Sequence, residues 1–290
     1  MPGHYAPGHR RRLAAELRRL RVAAGLTGEQ VAAQLAPLGR WSASKVSRIE
    51  TGRVAVHHGD VDDLLDLYGV AHEPLRVELV GIARESGKKG WWQPYRDVLA
   101  EHVSLLLELE AGASALRVVH NQLVPALLQT PDYARVLMRA GHPGARAEQV
   151  ERLVELRMGR KRVFERPDAP WLRVLLDEAA LRRPVGGPAV MRAQLERLTE
   201  HADAGDAVIQ VIPFAHGEHI GMDSPFTILS FPGAADVVYL EQHTTAACVE
   251  DDRDTGLYRL FFDRIRTLAL DPRRSRRLIA EAAEDLRRVH

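Results

Sequence analysis

The chain has 290 residues, of which 46% are hydrophobic, a single cysteine, and a formal net charge of +1 at pH 7. That length allows two domains, and one cysteine excludes a disulfide framework and suits a reducing cytoplasm, where we expect the protein to act. No stretch reaches the roughly 20 apolar residues of a membrane span, and residues 1–9 lack the apolar core of a signal peptide, so we predict that they form a flexible arm.

Residues 10–87 carry five helical patterns in close succession. Apolar residues recur at a helical period over 10–24, and Thr27 with Gln30 predicts a capping box that opens a second helix. After a turn over 36–40, Ser42 is placed to cap a third helix. Two further apolar segments complete a compact all-α head in which the second and third helices are joined closely.

The third helix has an open, polar face. Val46 and Ile49 fall three residues apart and are predicted to point inward, which leaves a narrow outer face that fits a DNA major groove about 12 Å wide. That outer face consists of Ala43, Ser44, Ser47 and Arg48, flanked by Lys45 and Arg53.

The charge of the chain is distributed unevenly. Residues 1–58 contain ten Lys or Arg against three Glu, a balance of +7; because the whole chain is +1, the remainder carries −6. A basic head on an acidic body is typical of a phosphate-binding module. The alternative is that the arginines of the first helix are a solvated helix face.

Two segments of the head carry a family resemblance. Gly25–Ala32 and Ser44–Arg53 resemble the helix-turn-helix of phage-repressor-type (XRE, lambda-repressor-like) regulators, although the turn over 36–40 is longer than is usual there. Segments farther along the chain are similar to an actinomycete group of Streptomyces-type regulators called antitoxin-like, whose C-terminal domain was long of unknown function. Those segments are Gly90–Trp92, Gln122–Ala134, Leu176–Gly187 and Pro225–Leu229.

The resemblance implies a sequence-specific transcription regulator that binds double-stranded DNA. Our leading hypothesis is that the C-terminal domain mediates dimerisation and binds a partner protein, and the resemblance implies a small partner encoded nearby. Because one head reads only a few base pairs, we expect a homodimer on a near-palindromic operator. We expect Glu50 to pair with an arginine inside the head. Base contacts are implied for Ala43, Ser44, Ser47 and Arg48, and phosphate or backbone contacts for Thr27, Gly28, Gln30, Arg40, Ser42, Lys45 and Arg53.

Beyond a break near residues 86–90, the character of the chain changes. Helical and strand-like patterns alternate, which predicts an α+β domain over 88–290 with a small antiparallel sheet flanked by helices. The predicted helices are 101–116, 131–140, 145–164, 189–204, 255–270 and 272–288, and the predicted strands are 171–176, 208–212, 226–231, 237–241 and 246–250.

No motif in this domain predicts catalysis, a metal or a cofactor. His216 and His219 lie in a loop pattern without an obvious third ligand, and Asp177 with Glu178 suits a helix start. We therefore expect no enzyme activity and rank a DNA-tethered enzyme last. The main alternative is a ligand-sensing repressor with an aromatic pocket. For the residues of that pocket we favour the other interpretation, core packing that docks the head on the body. They are Trp91, Trp92, Tyr95, Gln122 and Tyr133.

Overall fold

The computed structural model describes residues 8–52, 54, 56–86 and 90–288. The chain forms two compact units. The first comprises Met1–Gln93, Val103–Ala113 and Phe231–Ala235, and the second comprises Pro94–His102, Ser114–Ser230 and Asp236–His290. No helix within the described residues is long and apolar enough to cross a membrane.

The N-terminal region of the first unit is helical, as predicted. Its helices are α1 (Gly8–Ala23), α2 (Gly28–Gln34), α3 (Ala43–Glu50), α4 (His58–Leu67) and α5 (Glu73–Ser86), and α6 (Glu101–Gly112) follows. Helix α1 begins at Gly8, inside the predicted arm; residues 1–7 lie outside the described part of the chain. The long turn contains a 3-10 helix at Ala36–Leu38 and ends at Gly39, whose φ of +69° suits glycine.

One hydrophobic cluster holds α1 to α5 together. Leu17 of α1, Val31 of α2 and Leu65 of α4 have no exposed surface, and Val46 and Ile49 of α3 are buried beside them. These residues repeat three or four positions apart along their helices, so each helix buries one stripe and leaves the opposite face in water. The inward direction predicted for Val46 and Ile49 is confirmed.

The second unit alternates strands and helices. Its strands are β1 (Ala115–His120), β2 (Trp171–Asp177), β3 (Val208–Ile212), β4 (Phe226–Phe231), β5 (Ala234–Glu241) and β6 (Ala246–Val249). Its helices are α7 (Pro131–Gly141), α8 (Ala147–Gly159), α9 (Ala179–Arg182), α10 (Pro188–Ala204), α11 (Asp252–Leu268) and α12 (Pro272–Arg287).

The sheet is mixed, so the predicted antiparallel sheet is wrong. The described strands form one sheet in the order β3-β2-β1-β4-β5-β6. Strand β2 runs parallel to both β1 and β3, whereas β1–β4 and β5–β6 are antiparallel. The parallel pairs follow from the connections: α7 and α8 separate β1 from β2, and α9 and α10 separate β2 from β3, and parallel neighbours require such long crossovers.

Strand β1 was missed because its sequence continues a helical pattern. The predicted helix over 101–116 ends instead at Gly112, and β1 occupies the centre of the sheet between β2 and β4. One face of the sheet packs on α11, where Val119 and Leu175 meet Phe262 and Ile265.

Candidate nucleic-acid interface

The start of α2 is fixed by its predicted capping box. The Gln30 N–H donates to Thr27 Oγ1 at 3.2 Å, and the Thr27 N–H donates to Gln30 Oε1 at 2.8 Å. These bonds satisfy two backbone donors that a helix start otherwise leaves open. Both side chains are exposed, and the Gln30 amide nitrogen remains available to an outside acceptor.

Helix α3 begins and ends on local hydrogen bonds. The Lys45 N–H donates to Ser42 Oγ at 3.1 Å, which confirms Ser42 as the cap. At the other end Thr51 Oγ1 donates to Ser47 O at 2.8 Å, and Gly52 adopts a φ of +67°. Both ends of this eight-residue helix are therefore set by residues within or next to it.

The outer face of α3 is open to solvent, as its sequence predicts. All four predicted base-reading side chains are exposed: Ala43, Ser44, Ser47 and Arg48. Among the described residues, the Arg48 side chain makes one hydrogen bond, from Nε to Ser44 O at 3.3 Å, which leaves its terminal guanidinium nitrogens available. The face carries one long cation among three small side chains, a shape that allows the helix to approach base edges closely.

The starts of α2 and α3 lie side by side. A Cβ placed on Gly28 would stand 3.7 Å from Val46 Cγ1, so the two helix starts are in van der Waals range. Thr27 and Gly28 share one open concavity of about 420 Å³ with Ala43 and Ser47. The structure thus brings four of the predicted contact residues together. The concavity is completed by Arg18, Arg21, Glu29, Val46, Glu50 and Thr51.

Glu50 pairs with an arginine inside the head, as predicted, and that arginine is Arg21. Arg21 Nε and Nη2 donate to the two Glu50 carboxylate oxygens at 2.7 and 2.9 Å, and Nη1 donates to Leu26 O at 2.6 Å. The two side chains are only 15% and 9% exposed. The hydrogen bonds to Glu50 raise the pKa of Arg21. This bidentate pair ties α3 to α1 and to the residue before α2.

Arg40 and Lys45 are engaged by acidic side chains of α4. Arg40 Nε donates to Asp60 Oδ1 at 2.8 Å, and Arg40 also bonds to Asp63. Lys45 Nζ lies 2.8 Å from Asp60 Oδ2 and 4.4 Å from the centre of the Trp41 ring. Either cation must leave or share its carboxylate to meet a phosphate. Arg53, the remaining predicted phosphate contact, lies outside the described residues.

Two features of this surface were not found from the sequence. Arg18 lines the concavity from α1, is exposed, and has no hydrogen-bonding or ionic partner among the described residues. Asp60 is 8% exposed and neutralises much of the charge at the third-helix start. The neutralising role of Asp60 could have been predicted from the sequence, because residues 59–66 contain four aspartates directly after the basic segment. The +7 charge balance therefore overstates the free positive charge of the head.

The five residues predicted as an alternative ligand pocket occupy different environments. Tyr133 is fully buried and its hydroxyl accepts the Val124 N–H at 3.2 Å, as a packed core residue does. Gln122 is exposed. Trp91 and Tyr95 are half-buried and Trp92 is buried, and none of the five lines the concavity beside α2 and α3.

The histidine loop of the second unit is organised by an acidic strand end. His219 Nε2 lies 2.9 Å from Asp177 Oδ2, while Asp177 Oδ1 accepts the Ala179 N–H at 2.7 Å. Glu178 accepts from the Phe214 N–H and from Arg182 Nε, both at 2.9 Å. No cluster of three or more potential metal ligands occurs among the described residues. Asp177 and Glu178 thus both fix the loops that follow β2 and β3.

Two short capped helices joined by a turn, the second with an open polar face, define a helix-turn-helix protein of the DNA-binding regulatory class. In agreement, residues 12–79 match the family described as "Helix-turn-helix domain". Residues 103–281 match the family described as "Domain of unknown function (DUF5753)", which covers more than half of the chain, and the chain belongs to that family. No curated protein and no solved structure was found to be significantly similar to it.

Proposed function

We propose that the chain is a cytoplasmic, sequence-specific transcription regulator of the XRE type that inserts α3 into the DNA major groove. One observation carries the proposal: the outer face of α3 is exposed, small and polar, with a single extended cation, and it adjoins the capped start of α2. A helix of this shape fits a groove about 12 Å wide and places side chains at base edges.

Arg48 is the principal base reader in this proposal. Its guanidinium donates in a fork that matches the O6 and N7 acceptors of guanine, and such a contact discriminates by about 1–3 kcal/mol. Ala43 offers a methyl group to a thymine methyl, and the Ser44 and Ser47 hydroxyls can donate or accept. Ser42, at the start of α3, approaches the DNA sugar-phosphate backbone beside the bases that these side chains contact.

Phosphate contacts are proposed at the helix starts. The capping box uses the N–H groups of Thr27 and Gln30. It leaves the N–H groups of Gly28 and Glu29, beside the Thr27 hydroxyl, for a phosphate at the N-terminus of α2, where the helix dipole favours an anion. Gln30 can donate its amide N–H from the same position. Arg40 and Lys45 join the phosphate contacts when the DNA backbone competes with Asp60, which makes their contribution smaller than that of Arg48.

A dimer on a near-palindromic operator is part of the proposal. Two heads related by a two-fold axis place their recognition helices about 34 Å apart on one face of the duplex. Helix α11 offers a surface for self-association, since Leu257 and Leu260 are 46% and 47% exposed, whereas Ile265 on the same helix is fully buried.

The resemblance to antitoxin-like regulators supports a small partner protein that binds the C-terminal domain. We propose this binding role, rather than catalysis, for the second unit. The alternative is a ligand-sensing repressor. Native mass spectrometry of the purified chain distinguishes the two, because a co-purified small polypeptide supports the partner and unassigned bound mass of a few hundred daltons supports the ligand.

The test of DNA reading is fluorescence anisotropy on the DNA upstream of the chain's own gene and on the same bases in scrambled order, at two salt concentrations. Arg48→Ala is compared with Arg19→Ala, which removes the same charge from the exposed side of α1 where Arg19 pairs with Glu16. We expect Arg48→Ala, but not Arg19→Ala, to reduce the preference for the native fragment by about 1–3 kcal/mol per head. If both variants prefer the native fragment equally, the proposal that α3 reads the bases is wrong.

A further inference from the structure

Two cationic side chains in the second unit converge on one buried amide. Arg157 lies in the last turn of α8, and Lys161 lies in the 3-10 helix that follows. Arg157 Nη1 donates to Gln129 Oε1 at 3.1 Å, and Lys161 Nζ donates to Gln129 O at 2.6 Å. Gln129 is only 2% exposed, so both cations are fixed at a defined position.

These cations have no carboxylate partner. In the described part of the chain, no Asp or Glu lies within ion-pair distance of Arg157 or Lys161, whose hydrogen bonds go to the neutral groups of Gln129. Burial and then Arg160 lower the pKa of Arg157 to about 10 against the smaller, opposing attraction of Glu241, and burial and then Arg197 lower the pKa of Lys161. Partly buried charges are ordinarily paired, because their desolvation is otherwise uncompensated.

His120 lies close enough to Arg157 and Arg160 for their charges to act on its imidazole ring. Burial and the nearby Arg157 and Arg160 lower the pKa of His120 to about 4. At neutral pH its ring therefore provides one N–H donor and one acceptor. His120 is the last residue of β1, which runs parallel to β2. Ligands of parallel sheets bind outside the carboxyl ends of the strands, and this end of β1 is such a position.

We propose that His120, Arg157 and Lys161 form a binding site for the phosphate or carboxylate group of a soluble small molecule. The anion provides the direct negative contact that neither cation has among the described residues, where Glu241 acts on Arg157 only at longer range. After each side chain donates one N–H to Gln129, Arg157 retains four guanidinium N–H groups and Lys161 retains two ammonium N–H groups. All three side chains are partly exposed, so a small anion can reach them. The proposal stands independently of DNA reading by α3.

The first experiment titrates the full chain with inorganic phosphate, and separately with acetate, while chloride keeps the ionic strength constant. The melting temperature and calorimetric heats are followed. We expect a saturable increase in stability, and whichever of the two anions saturates at lower concentration identifies the chemical group. A response that only grows linearly with both salts is a general salt effect and overturns the proposal.

Variants locate the site. We expect Arg157→Gln to weaken anion binding about tenfold, as expected for the loss of a charge-assisted hydrogen bond. Arg139→Gln is the matched control, because Arg139 is exposed on α7 and the same charge is removed; its affinity should be unchanged. Equal weakening in the two variants overturns the assignment.

A third measurement does not depend on any arginine variant folding. The imidazole resonance of His120, identified in the spectrum of the wild-type chain by its loss in His120→Asn, should shift along a saturable curve when phosphate is added. A resonance that stays in place while phosphate binds elsewhere overturns the site.

Discussion

Glu50→Gln tests whether the Arg21–Glu50 pair holds the recognition helix in place. The substitution keeps the size of the side chain and one acceptor, but it removes the charge that faces a guanidinium only 15% exposed. Breaking a fully buried pair costs about 3–5 kcal/mol. Because Arg21 retains its bond to Leu26 O at 2.6 Å, we expect about 2–3 kcal/mol here, within the range for hydrogen bonds to charged groups.

Hydrogen–deuterium exchange of the full chain measures this loss where it occurs. A loss of about 2–3 kcal/mol corresponds to protection factors roughly 30- to 160-fold lower for slowly exchanging amides of α1 and α3, if those amides exchange by unfolding of the head. The control is Glu29→Gln, an exposed glutamate in the first turn of α2, whose loss should cost less than about 1 kcal/mol.

A double-mutant cycle isolates the pair from the separate effects of each change. Arg21→Gln and Glu50→Gln together should destabilise the head by about 1–2 kcal/mol less than the sum of the single changes, since neither leaves a lone buried charge in the double variant. Strict additivity, or a Glu50→Gln cost no larger than that of Glu29→Gln, refutes the reasoning that this pair positions α3.

Three other predictions concern charge and burial. Asp60→Asn should release Lys45, and in part Arg40, and steepen the salt dependence of DNA affinity by about one phosphate contact, a slope change of about 0.9; an unchanged slope means that these cations do not reach the DNA. Tyr68→Phe should stabilise the head by about 1 kcal/mol in urea unfolding, because the buried Tyr68 hydroxyl has no hydrogen-bond partner in the described part of the chain; a loss of stability contradicts this. The pKa of His120 falls from 6.5 to about 4 on folding, so the unfolded chain binds a proton at this residue more readily than the folded chain. The contribution of His120 to the free energy of unfolding is therefore fully present above pH 6.5, and it declines by up to about 3 kcal/mol as the pH falls to 4. The urea midpoint should therefore fall less between pH 7 and pH 5 in His120→Asn than in the wild-type chain. Identical falls in the two proteins contradict a lowered pKa for His120.

The sequence determined the local features of the head. The Thr27–Gln30 box and the Ser42 cap involve residues three positions apart, and the burial of Val46 and Ile49 follows from a helical period. Interactions of this range depend on a single turn of chain, so their residue types in order are sufficient to predict them.

Only the tertiary structure decided which distant groups meet. The sequence predicted an arginine for Glu50 but not that it is Arg21, 29 residues away, and it assigned Lys45 to DNA phosphate without the aspartate of α4 that holds it. The parallel pairing of β1 with β2 was likewise invisible, because strand direction follows from how the intervening helices cross the sheet. Charge and periodicity specify what a side chain can bind, whereas the packing of helices and strands selects the partner.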